Sequence, residues 1–197
     1  MSRLRLITRK DFSEAQQTLF DHITKGKRGQ VQPEGGRLTP EGGLKGPFNA
    51  WFYCPALGDA VQRLGESVRF ETSLHPVLRE LAILTVASVW KSSYEWWGHE
   101  RIARSAGLNE KVLMQLKKGE PPEFEAPKES IVYEFTRELL GTREISDHLY
   151  DTAVAALGES AVVELVILIG YYTLVSMTLN VFKVPVPSGE TPPFDSI

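Results

Sequence analysis

The chain has 197 residues, enough for one domain with a sizeable core and short for two. With 22 Lys and Arg against 25 Asp and Glu, the formal net charge is −3, and no basic excess marks a face for nucleic acid. Cys54 is the single cysteine, which excludes an intrachain disulfide and a Cys-x-x-Cys redox centre.

The start, MSRLRLITRKDF, carries the charge of a signal peptide but lacks the continuous apolar stretch and small-residue cleavage site that export needs. A cytoplasmic location is therefore expected. The first helix is expected from Phe12 to Thr24, with Asp11 or Ser13 as its N-cap. From Gly26 to Gly46 the chain is rich in glycine and proline, which neither a helix nor a central strand tolerates, so this stretch reads as a long loop. Its glycine spacing matches no phosphate-binding motif.

Pro55 suits the first turn of a helix running to about Phe70, with Leu57, Val61, Leu64 and Val68 expected on its core face. A helix from His75 to Trp90 follows, opened by Pro76, with Val77, Leu78, Leu81, Leu84 and Val89 facing a core. The next runs from Tyr94 to Ser105 and stops at Gly107, a residue suited to a left-handed cap. Asn109 can cap a short helix to Lys117, and GEPPEFEAP is a connector. Two more helices, about Lys128 to Leu140 and Ser146 to Leu157, precede an apolar one from Ala161 to Phe182. That last helix is about long enough to span a bilayer, but Glu164, Gly170, Ser176 and Asn180 interrupt it. It reads as a helix buried at an oligomer centre, not as a membrane span. The tail from 184 to 197 holds four prolines and should run extended along the surface or across a neighbour. No segment alternates with period two, so the fold class is all-α, one domain over 1–197.

The densest polar and aromatic run is Trp90 to Glu100. On a helix, Glu95 and His99 are four residues apart and Ser92 is three before Glu95, so the three side chains share a face. Glu80 lies on the preceding helix, and an antiparallel return could bring it to His99. A carboxylate on one imidazole nitrogen fixes the tautomer and raises basicity, which would leave the other nitrogen free for proton transfer. The same pattern also occurs on solvated helix faces, and nearby tryptophans are commonly core residues. Two carboxylates and a histidine could in principle hold iron or manganese, but no metal is expected here, and Glu-x-x-x-His is not the zinc-protease pattern. His22, His75 and His148 lack a comparable neighbourhood in the sequence.

From Gly46 to Pro187 the chain resembles the carboxymuconolactone decarboxylase family of the alkylhydroperoxidase-like superfamily. The phrases that carry the likeness are GPFNAWFYCPAL, LRELAILTVASVW, SSYEWWGHERIARSAGL and VELVILIGYYTLVSMTLNVFKVPVP. The resemblance implies an all-helical bundle that assembles as a trimer or hexamer. Peroxidase-type members of the superfamily carry a glutamate, then Cys-x-x-Cys, then a histidine. In this chain Glu80 and His99 match the glutamate and histidine, while Ser92 and Glu95 stand where the cysteines would be. Thiol peroxidase activity is accordingly not expected, since it needs a thiolate nucleophile and a resolving partner.

What the resemblance implies instead is decarboxylation of a small carboxylated lactone in aromatic catabolism. Such a substrate supplies its own electron sink, so no cofactor is expected. In this reading His99 moves the proton, Glu80 orients it and Glu95 is a second acid or base. Ser92 and Tyr94 are candidate hydrogen-bond donors, and Trp96 and Trp97 candidate pocket walls. Arg79 is a candidate to hold a substrate carboxylate, in competition with a neighbouring acid. A lactone hydrolase or isomerase, or a non-catalytic helical oligomer binding a small hydrophobic ligand, are the alternatives. Neither a nucleic-acid nor a membrane partner is expected.

Overall fold

The computed structural model describes residues 2–30 and 37–195. Among these there are ten α-helices, a short 3-10 turn at Arg9–Asp11 and a single antiparallel bridge between Leu38 and Leu44. The all-α expectation is met. The chain groups into two compact units, one formed by 1–71 with 178–185 and the other by 72–177 with 186–197.

The first unit contains α1 (Glu14–Lys25), α2 (Lys27–Gln30), α3 (Phe48–Trp51) and α4 (Pro55–Phe70). Ser13 caps α1 in a reciprocal box: its hydroxyl accepts from Gln16 N at 3.3 Å, and the Gln16 side chain accepts from Ser13 N at 2.8 Å. The capped helix buries Leu19, Phe20 and Ile23. The glycine-rich stretch is less irregular than its composition suggests, since α2 and the Leu38–Leu44 bridge both fall in it. Residues 31–36 of the expected loop lie outside the described residues.

Helix α4 has the expected limits but a different buried face. It packs through Gly58, Gln62, Gly65 and Val68, while Leu57 is 69% and Leu64 43% exposed. The reason is backbone proximity: a Cβ on Gly58 would lie 2.6 Å from the Trp51 carbonyl oxygen and 2.7 Å from Trp51 Cβ. Close approach selects the glycine side of the helix over its leucine side. Gly58→Ala is therefore expected to destabilise the protein by about 1–3 kcal/mol, although alanine is the better helix former. A urea-unfolding midpoint equal to or above wild type would contradict this contact.

The second unit contains α5 (Pro76–Val89), α6 (Ser93–Ala106), α7 (Glu110–Lys118), α8 (Pro127–Thr142), α9 (Asp147–Leu157) and most of α10 (Glu159–Val181). Central α5 is buried almost all round, from Leu78 through Ser88, and packs against α6, α7 and α8. Val89, expected in the core, is 37% exposed at its end. Lys91 takes a left-handed conformation (φ 49°) and reverses the chain into α6, which ends at Gly107 with φ 97°.

Helix α10 has 23 residues and is long and apolar enough to cross a membrane, but half of that stretch is buried inside the protein. Its Glu164 reaches the segment before α5, accepting from Thr72 Oγ1 at 2.7 Å and from Ser73 N and Oγ at 2.8 Å each. Burial opposes a charge on Glu164, yet these donors hold its carboxyl below the usual range.

Candidate functional site

The antiparallel return of α5 into α6 brings Glu80, Glu95 and His99 into one buried group. Glu80 on α5 is fully buried, and its Oε2 lies 2.7 Å from His99 Nδ1. Glu95, one turn before His99 on α6, places Oε1 at 3.2 Å from Nε2. Neither ring nitrogen is left free, which corrects the expectation that one would remain open. The Glu95–His99 contact follows from helical spacing alone. The Glu80–His99 contact depends on how α5 and α6 pack.

Burial opposes a charged imidazole, but Glu80 at Nδ1 and Glu95 at Nε2 outweigh it and hold the His99 pKa above its ordinary value. In the imidazolium form both ring N–H groups donate, one to each carboxylate. Arg79 extends the alternation, donating from Nε to Glu80 Oε1 at 3.3 Å. Arginine, carboxylate, imidazolium and carboxylate then sum to no net charge, which is how a buried ionic group avoids the cost of an unpaired ion.

Tyr172 on α10 completes the surroundings. Its ring meets the His99 ring edge to face, with centroids 5.1 Å apart and planes at 85°, and it packs the same way on Tyr171. Tyr172 is 2% exposed. Sequence reasoning missed it because the residue lies on a distant helix that read simply as apolar.

The other expected site residues are placed as follows. Arg79 faces Glu80, the neighbouring acid expected to compete for it, with Nε 3.3 Å from Oε1. Ser92 lies at the start of α6, fully buried, with a hydroxyl that has no hydrogen-bond partner. Tyr94 stacks on Trp97 at 5.5 Å between centroids. Trp96 is fully buried against the Phe194 ring and serves as core, so it corrects the expectation of a pocket wall. Trp97 is partly exposed and carries Arg101 over its ring at 5.6 Å. Among the described residues, no three His, Cys, Asp or Glu side chains are arranged to hold a metal ion.

In the first unit, exposed Cys54 borders a surface cavity of about 580 Å³ shared with Glu14, Thr18, Leu57 and Asp59. Asp59 pairs there with His22 Nδ1 at 2.7 Å, a contact between helices that spacing could not reveal.

Residues 55–116 match the model of the Carboxymuconolactone decarboxylase family. A crystal structure of a peroxidase-related protein from Silicibacter sp. TM1040 is similar over 95% of this chain and 92% of its own, with a TM-score of 0.70 and 11% identity. A protein of unknown function from Agrobacterium tumefaciens, described as a candidate antioxidant defence protein AhpD, is similar over 73% of this chain and 99% of its own, with a TM-score of 0.63 and 18% identity. No curated protein sequence matches the chain.

Proposed function

We propose that this chain, which carries a carboxymuconolactone decarboxylase family segment on an alkylhydroperoxidase-like helical fold, is an acid-base lyase that decarboxylates a small carboxylated lactone. The observation that carries the reading is the His99 ring held at both nitrogens by buried carboxylates. A buried imidazole so held is favoured in its protonated form and can pass a proton along the contact to a neighbouring carboxylate.

The chemistry needs little else. When the substrate's carbon–carboxylate bond breaks, carbon dioxide leaves. The bonding electrons pass through the ring alkene to the lactone carbonyl, and a proton must then reach ring carbon. With Nε2 already facing Glu95, the group that meets the substrate is Glu95. It receives a proton from His99 and delivers it to carbon, while Glu80 holds Nδ1 and keeps the ring in register. The developing oxyanion is met by donors near the start of α6, where the buried Ser92 hydroxyl is otherwise unpartnered.

Incubating purified protein with butenolide carboxylates, other lactones and peroxides tests the reading. Carbon dioxide release is expected from the first class. Ring opening without it would favour a hydrolase, and thermal stabilisation without turnover a binding protein. Peroxide reduction with a dithiol is expected to be absent, and Cys54→Ser should retain decarboxylation within about twofold of wild type, since the single thiol lies outside the site. Loss of activity in that folded variant would show that the thiol takes part.

The proposal includes self-assembly. Val163, Val166, Ile167 and Met177 form one exposed apolar stripe on α10, between 42% and 59% exposed, on a helix that also carries Tyr172 to His99. A trimer or hexamer would cover it. Light scattering at micromolar concentration is expected to report an oligomer, and Ile167→Lys a smaller folded species. A monodisperse wild-type monomer would end this part of the reading.

A further inference from the structure

The segment that follows α10 grips the helix that carries Glu95 and His99. Glu190 pairs with Arg101 at 2.9 Å. Four residues later the Phe194 ring packs edge-on against Trp96, with centroids 5.4 Å apart and planes at 76°. The Phe194 carbonyl accepts from Ser93 Oγ at 3.4 Å, and Lys91 Nζ lies 5.0 Å from the Phe194 ring centroid. The grip therefore reaches from the α5–α6 turn to the third turn of α6. Phe194 itself is 8% exposed, so its ring is seated and not merely resting on the surface.

The two contacts of His99 respond differently to a movement of α6. Glu95 and His99 share the helix and move together. Glu80 is on α5, so any displacement of α6 acts directly on the 2.7 Å contact at Nδ1, and a hydrogen bond weakens steeply as it lengthens or bends. Lys91 sets where α6 begins, in a left-handed conformation (φ 49°) that residues with a β-carbon adopt infrequently. Phe194 touches both this turn residue and Trp96, the neighbour of Glu95.

We infer that Phe194 is a positioning residue for the acid-base centre: by clamping Lys91 and Trp96 it sets α6 against α5 and so maintains the Glu80–His99 contact. The inference rests on the reading of Glu80, Glu95 and His99 as that centre. The groups facing His99 are Glu80, backed by Arg79, from α5, Glu95 from its own helix and Tyr172 from α10. Phe194 touches none of the reacting atoms.

The experiment uses the full chain and follows the His99 imidazole by NMR titration, alongside turnover of a butenolide carboxylate and the melting temperature. Phe194→Ala is expected to move the His99 midpoint down by about half a pH unit or more, towards its ordinary value, as Glu80 loosens. Turnover should fall about tenfold, because small misplacements at a catalytic group are costly. Phe194→Tyr, which keeps the ring, should restore both. If Phe194→Ala does not fold, Phe194→Leu takes the same measurement, with a smaller downward shift expected. A titration curve that coincides with wild type in the folded variant overturns the inference, even if the melting temperature falls. The titration needs no substrate, so the two readings fail separately. A shifted midpoint in a protein that releases no carbon dioxide would leave the strap standing and remove the proposed activity, and the reverse result would do the opposite.

Discussion

Replacing His99 with glutamine is expected to lower turnover by roughly 10²- to 10⁴-fold while the protein still folds. The amide is similar in size and its NH2 can still donate to one of the two carboxylates, which lie 2.7 and 3.2 Å from the present ring nitrogens, but it cannot carry a proton. Glu80→Gln should cost less, because it keeps a partner for Nδ1 and loses only the charge that favours the imidazolium. Both substitutions act on one proton transfer, so the double variant should be little worse than His99→Gln alone. Steady-state rates of carbon dioxide release for the four proteins check this. Near-native turnover in His99→Gln, or losses that simply multiply, would reduce the group to a structural ion network.

Glu80→Ala should have the largest effect on stability, about 3–5 kcal/mol, because it leaves a buried imidazolium and a largely buried guanidinium without their shared carboxylate. The effect should depend on pH in a defined direction. The folded-state pKa of His99 is raised above the unfolded reference of 6.5, so its contribution to stability is fully present below that reference and is lost as pH rises through the folded value. The gap between wild type and Glu80→Ala should accordingly narrow on the alkaline side. Urea-unfolding midpoints compared at about pH 6 and about pH 9 measure it. A gap that is constant, or that widens with pH, would mean that His99 is neutral in the folded protein.

The corrected environment of His99 changes which residue is expected to meet the substrate. With one nitrogen free, the imidazole would face the substrate itself. With both engaged, His99 becomes the middle of the proposed relay and Glu95 the end proposed to meet the substrate. Assembly through the α10 stripe would then bear on the centre from another side, since Tyr172 links that helix to the imidazole.

Local chemistry determined much of this protein from the sequence alone. Asp11 or Ser13, Pro55, Pro76, Gly107 and Asn109 mark helix ends because caps satisfy or dispense with backbone groups that the helix itself leaves unpaired, and the observed limits lie within a few residues of those signals. The pairing of Glu95 with His99 follows from 3.6 residues per turn. The meeting of Glu80 with His99 was legible as a possibility, given two helices joined by a tight turn. Only the tertiary structure decided the rest, for the physical reason that these choices depend on distances between elements. Hydrophobic periodicity ranks side chains by their preference to leave water, and so pointed to Leu57 and Leu64, but close backbone approach at Trp51 turned the Gly58 side of the helix inward instead. The occupation of Nε2 by Glu95 depends on rotamers, Tyr172 on the packing of a helix far along the chain, and Phe194 on a tail whose prolines predict extension but not a destination.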